Sequence, residues 1–140
     1  MFNKTIALQK LAEIDEYSLP RHIGIEYIEI GEDFITAKMP VDHRTKQPFG
    51  ILHGGASVVL AETLGSVASY LCLTDPVKQR AVGLEINANH LRPVSEGWVY
   101  GKVTAVHLGR KTHLWDIKIT NEEGKLVCVS RITVMIVEQV

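Results

Sequence analysis

Apolar and polar positions along this chain repeat with two different periods. Between Thr5 and Tyr17 the apolar residues are Ile6, Leu8, Leu11, Ala12 and Ile14. That three-to-four spacing predicts a short amphipathic helix, ended by Pro20. "IEYIEI" and "FITAKMP" alternate apolar with polar on either side of the turn residues "GED", so two strands follow. "VDHRTKQPFGI" is polar and punctuated by Pro and Gly, the composition of a loop. From Gly54 to about Leu73 nearly all side chains are small or aliphatic, and no Pro intervenes. Such a run is too long for one strand. It predicts a helix that is apolar all round and therefore buried.

The remainder predicts four strands. In "AVGLEINANHLRPV" Val82, Leu84, Ile86, Ala88 and His90 share one phase, and Glu85, Asn87 and Asn89 share the other. "GWVYGKVTAVHLG" comes next. "THLWDIKIT" sets Trp115, Ile117 and Ile119 against Asp116, Lys118 and Thr120. After the turn "NEEG", "KLVCVSRITVMIV" is apolar in both phases over much of its length, as a central strand is. Consecutive strands joined by short turns run antiparallel. The expected architecture is α+β, one antiparallel sheet wrapped around a long central helix, in one domain over residues 1–140.

Composition narrows the function classes. The chain has 140 residues, 46% hydrophobic and 22% charged, which supports a real core in one ordinary domain. Fifteen basic and 16 acidic residues leave a formal net charge of -1, so neither nucleic acid nor an anionic membrane is expected as a partner. Cys72 and Cys128 are far apart and form no CxxC pair, and they are expected as buried thiols in a reducing compartment. The N-terminal segment lacks the uninterrupted apolar core of a signal peptide, and no run approaches the roughly 18 apolar residues of a membrane span. The expected location is the cytoplasm.

One carboxylate stands out against this background. From Gln47 to Val77 the only formal charges are Glu62 and Asp75. Glu62 falls about two turns into the long helix, where no other charged residue marks out a solvated face. Ser66 lies four residues later on the same side. A carboxylate held out of water is reactive as general base or nucleophile. The helix begins at "HGG". Its free N–H groups and partial positive charge can hold a developing oxyanion, and glycine lets a ligand approach them. A tight turn that simply needs glycine explains the same pair. His53 and Gln47 flank the entrance, where a structural hydrogen-bonding role is the plainer alternative for the histidine. His90 shares the apolar phase of its strand, so a core histidine is the alternative there. No HExxH, Cys/His cluster, GxGxxG, P-loop or GxSxG is present.

"DHRTKQPFGILHGGASVVLAETLGS" followed by "LEINANHLRPV" resembles the hotdog-fold thioesterases. The similarity covers nearly the whole chain. It is closest to the branch holding the bacterial 4-hydroxybenzoyl-CoA thioesterase with a catalytic glutamate, together with PaaI-like, 1,4-dihydroxy-2-naphthoyl-CoA and enterobactin-pathway proofreading thioesterases. In the sister branch the catalytic group is an aspartate in the loop before the helix. Here that loop carries Asp42 while the helix carries Glu62, which favours the glutamate branch.

The resemblance implies a set of roles. Glu62 attacks the thioester carbonyl or activates water, and the Gly55 N–H polarises that carbonyl. Gln47 and His53 orient the thioester, with His53 assisting the leaving thiolate. Ser66 and His90 line the acyl or pantetheine pocket, with Val67, Tyr70 and Phe49 shaping it. Arg92 meets the nucleotide end of CoA together with Gly109, Arg110 and Lys111. No cofactor is needed, since CoA or a carrier-protein pantetheine arrives with an aromatic or medium-length acyl group. Menaquinone biosynthesis is among the pathways such enzymes serve. Two subunits join sheets edge to edge and share each active site, and a dimer of dimers is the commonest assembly. The alternatives are a hotdog hydratase or dehydratase and a non-catalytic acyl-CoA-binding module.

Overall fold

The uncharged run after His53 organises the computed structural model, which describes residues 1–3 and 5–139. It forms α3 (Gly54–Leu71), which buries Ser57, Leu60, Ala61, Leu64, Gly65, Ala68, Ser69 and Leu71. Cys72 caps its end, and Pro76 lies in the turn that follows. Around α3 lie β1 (Glu26–Ile30), β2 (Phe34–Pro40), β3 (Gln79–His90), β4 (Trp98–Leu108), β5 (Thr112–Thr120) and β6 (Leu126–Glu138). They form one antiparallel sheet in the order β1-β2-β4-β5-β6-β3, and α3 packs against β2, β3, β4, β5 and β6.

The period-two reading of the strands carries directly into the core. Ile35, Ala37 and Met39 of β2, Val99 and Val103 of β4, and Trp115, Ile117 and Ile119 of β5 are fully buried against the helix. Each such aliphatic side chain contributes about 1.5–3 kcal/mol by leaving water. Gly65 allows the closest approach of helix to sheet: a Cβ there would stand 2.4 Å from Ile132 Cγ2. Trp115 brings a polar atom into this core. Its Nε1–H donates to Ser69 Oγ at 2.7 Å, and His113 Nδ1 lies 3.0 Å from the same oxygen. Burial pushes the His113 imidazole below its ordinary value, with the Gly109 carbonyl opposing that and the nearby His107 adding to it.

Three expectations change. The N-terminal helix is shorter, α1 (Leu8–Ile14), and Pro20 does not end it but sits in the first turn of a second helix, α2 (Leu19–His22). Proline suits a first turn, where its missing N–H has no partner to lose. In β3 the predicted phase breaks: the pairing with β6 shifts between Gly83 and Glu85. This bulge turns Val82 and Leu84 outward, leaving them 49% and 59% exposed, while Ile86 and Ala88 pack on the core. Finally, β6 is an inner strand buried on one face only, with Arg131 and Met135 exposed on the other.

Candidate active site

The loop before α3 is a short folded hairpin. The His53 N–H donates to Thr45 O, the Gln47 N–H to Ile51 O and the Gly50 N–H to Gln47 O, at 2.8–3.0 Å. Gly50 takes φ +85°, the left-handed conformation that glycine adopts freely. Gln47 Oε1 accepts from the Phe49 N–H, which turns the two carboxamide donors away from the turn. Phe49 stands at the loop tip, 90% exposed, and is not among the residues lining the cavity at Gly54 or the one holding Ser66, Val67 and Tyr70.

At the helix entrance His53 is the N-cap, and its Nδ1 accepts from the Gly55 N–H at 2.7 Å. This corrects the expectation for Gly55, whose donor is already engaged. The Ala56 and Ser57 N–H groups both donate to His53 O. Among the described residues no acceptor meets the remaining first-turn donor, that of Gly54. Because Nδ1 accepts, the neutral imidazole carries its proton on Nε2.

Gly54 opens onto a cavity of about 400 Å³ whose lining also includes Gln47, Ser57, His90 and Arg92. The His90 ring packs against the helix start, its Nε2 2.8 Å from where a Gly54 Cβ would stand. His90 is thus at the surface of the site rather than in the core, as its exposure also shows.

Glu62 is half-buried, and among the described residues neither a cation nor a hydrogen-bond donor meets its carboxylate. It lies over β3 at Gly83: a Cβ on that residue would stand 2.7 Å from Glu62 Oε2. One turn further along α3 and one inward residue back along β3, Ser66 and Ala81 line a second cavity of about 400 Å³ with Val67 and Tyr70. Ser66, Val67 and Tyr70 therefore share a wall, while His90 lines the cavity at Gly54. Gly83 was missed, although a glycine inside a strand signals close approach of another group.

Within one chain, Arg92 and the Gly109–Arg110–Lys111 turn stand apart. Arg92 lies beside His90, which pairs with Cys128 of β6, whereas the Lys111 carbonyl accepts from the Ile136 N–H at the other end of that strand. Eight strand residues, about 27 Å, therefore separate Arg92 from the Gly109–Arg110–Lys111 turn within one chain. Asp42, the carboxylate of the loop before α3, is paired. Arg44 Nη2 holds its carboxylate at 2.7 Å and keeps it below the usual carboxylate range.

Cys72 and Cys128 are free, and burial pushes both thiols up. Among the described residues no group of His, Cys, Asp and Glu could hold a metal ion, and no helix is long and apolar enough to cross a membrane.

Comparison with known proteins places these features in context. The thioesterase superfamily model matches residues 49–128. The chain is 49% identical to a 1,4-dihydroxy-2-naphthoyl-CoA hydrolase of Escherichia coli, over 97% of this chain and 98% of that protein. It is 47% identical to the proofreading thioesterase EntH of Cronobacter turicensis, over 95% and 96%. A crystal structure of a mutant thioesterase from Pseudomonas aeruginosa superposes with a TM-score of 0.95 at 47% identity, covering 99% of both chains.

Proposed function

This chain belongs to the thioesterase superfamily and has its hotdog fold, and from that premise we propose that it hydrolyses aromatic or medium-chain acyl-CoA with Glu62 as the catalytic carboxylate. The observation that carries the reading is Glu62 itself, a half-buried carboxylate with no partner among the described residues, on a helix with no other charge. Hydrolysis of a thioester needs an attacking group, a donor where negative charge develops, and little else, because thiolate leaves readily. Glu62 supplies the first, by direct attack or through water. The Gly54 N–H at the positive end of α3 supplies the second, with the Gln47 carboxamide beside it. His53 fixes the helix entrance through Nδ1 and offers Nε2–H to the departing sulfur. Ser66, Val67 and Tyr70 receive the acyl group, and His90 and Arg92 flank the pantetheine. The reaction draws on no cofactor beyond the CoA, or carrier-protein pantetheine, of its substrate. The free thiols suit a cytoplasmic setting.

The site is proposed to need two subunits. Gly54 and Glu62 are eight residues apart on one helix, about 12 Å along its axis and about 80° around it. Reacting groups must lie within about 3–3.5 Å of the carbonyl they share. The cavity at Gly54 and the cavity beyond Glu62 have no lining residue in common. A two-fold pairing of β3 with its copy would set the His90 end of one chain beside the Gln79 end of the other. That brings the Gly54 entrance of one subunit toward the Glu62 helix face of its partner. β3 is a sheet edge of 12 residues with outward Val82 and Leu84, the kind of edge that pairs.

The direct test is release of free thiol by Glu62→Gln from a panel of aryl and aliphatic CoA esters. Loss of a positioned general base or nucleophile should lower kcat by about 10²–10⁴-fold. Near wild-type turnover by the folded variant would remove Glu62 from the chemistry.

A further inference from the structure

The cavity beyond Glu62 is bordered by Asp15 and Tyr27, which share a hydrogen bond. Tyr27 Oη–H donates to Asp15 Oδ2 at 2.6 Å. Asp15 is the C-cap of α1 and Tyr27 lies in β1, so the bond ties the end of a short helix to the outer strand of the sheet. Asp15 and Tyr27 are the two residues that one pair of cavities has in common. On one side is the roughly 400 Å³ space of Ser66, Val67 and Tyr70. On the other is a space of about 380 Å³ beside α1 and β1, bordered by Arg21, Arg44 and Trp98. The pair is a partition between them.

We propose that the Asp15–Tyr27 pair is the end wall of the acyl pocket and sets the longest acyl group this thioesterase accepts. The proposal rests on the reading above that this cavity receives the acyl group. From Glu62 to Tyr70 the helix advances about 12 Å, which is the run available before the wall. A longer chain meets the Tyr27 ring first. It also meets a carboxylate that can only accept hydrogen bonds, and a methyl end would strip water from that charge without replacing it. Desolvation, the bond to Asp15 and the Asp15 charge together hold the Tyr27 phenol far above its ordinary range, so the hydroxyl remains a donor to Asp15 near neutrality. Beyond the wall the second cavity offers room, so removing the pair would lengthen the pocket rather than merely loosen it.

The test is the acyl-length profile of the full-length enzyme. The measurements are kcat/KM for straight-chain acyl-CoA esters from butanoyl to palmitoyl and Kd for the matching non-hydrolysable CoA thioethers. Wild type should pass through a maximum and fall for chains longer than the pocket. Tyr27→Ala removes the ring and the donor. Asp15→Ser shortens the other side of the wall and leaves the strand untouched, so it decides the matter if the first variant does not fold. Each should raise the ratio of long-chain to medium-chain kcat/KM, and the same ratio of affinities, by about 10-fold or more. An unchanged length limit in a folded Asp15→Ser protein would overturn the proposal. The thioether affinities read the wall whichever group does the chemistry. Retained turnover by Glu62→Gln would therefore count against that residue, while the wall would still stand or fall on its own variants.

Discussion

At the scale of single residues, accounting for backbone donors decides more than the motif does. "HGG" advertises two glycine N–H groups, but His53 Nδ1 occupies that of Gly55 and leaves that of Gly54 open to the cavity. Gly54→Pro removes this donor at the first helical position, where proline is tolerated and the extended His53 (ψ 129°) suits a following proline. Gly54→Ala keeps the donor and crowds His90 in the same way. The proline variant should lose about 10²–10³ in kcat relative to the alanine variant; equal rates in a thiol-release assay would return the role to another donor. His113 makes a separate prediction, about stability. Its folded-state value lies below the unfolded one, near 6.5. As pH falls below that unfolded value, the unfolded chain takes up a proton that the folded chain refuses. Stability is therefore full above about pH 6.5, declines below it, and levels off once the folded-state value is passed. Urea midpoints measured across about pH 5–8 should show this decline in wild type and a flatter profile in His113→Gln.

At the scale of elements, the contact of α3 with β3 places the carboxylate. Gly83 leaves the space that Glu62 Oε2 occupies, and the β-bulge between Gly83 and Glu85 turns the neighbouring Val82 and Leu84 away. Gly83→Ala would press its Cβ on the flexible end of the Glu62 side chain, so the fold can absorb it while the carboxylate moves. A misplacement of about 1 Å can cost about 10²-fold in rate. The expectation is a fall of that order in kcat with little change in Tm. A proportionate loss of both would mean that Gly83 serves the fold alone. Strict alternation was readable wherever pairing was regular, as at Trp115, Ile117 and Ile119. It failed in β3 because one extra residue shifts every later side chain to the opposite face.

At the scale of the whole molecule, the proposed site is divided between subunits, and that division can be tested by mixing. A Glu62→Gln subunit and a Gln47→Ala subunit are each expected to be inactive as homodimers. In the mixed dimer one site carries both lesions and the other carries neither. Co-expression should therefore restore roughly a quarter of wild-type activity on random pairing; no recovery, with mixed dimers present, would place both residues in one subunit's site. The sequence by itself determined much of this protein. The period-two and all-apolar runs specified six strands and one buried helix, and they set the lone Glu62 behind "HGG" apart as the proposed carboxylate, because local pattern and charge are properties of neighbouring residues. Tertiary structure alone decided which glycine N–H is free, that Gly83 rather than a side chain covers Glu62, that Arg92 and Arg110 lie at opposite ends of β6, and that Asp15 and Tyr27 meet at 2.6 Å. Each of these depends on the register between elements distant in the chain. That register is set by packing against α3 and by a bulge, which no local pattern encodes.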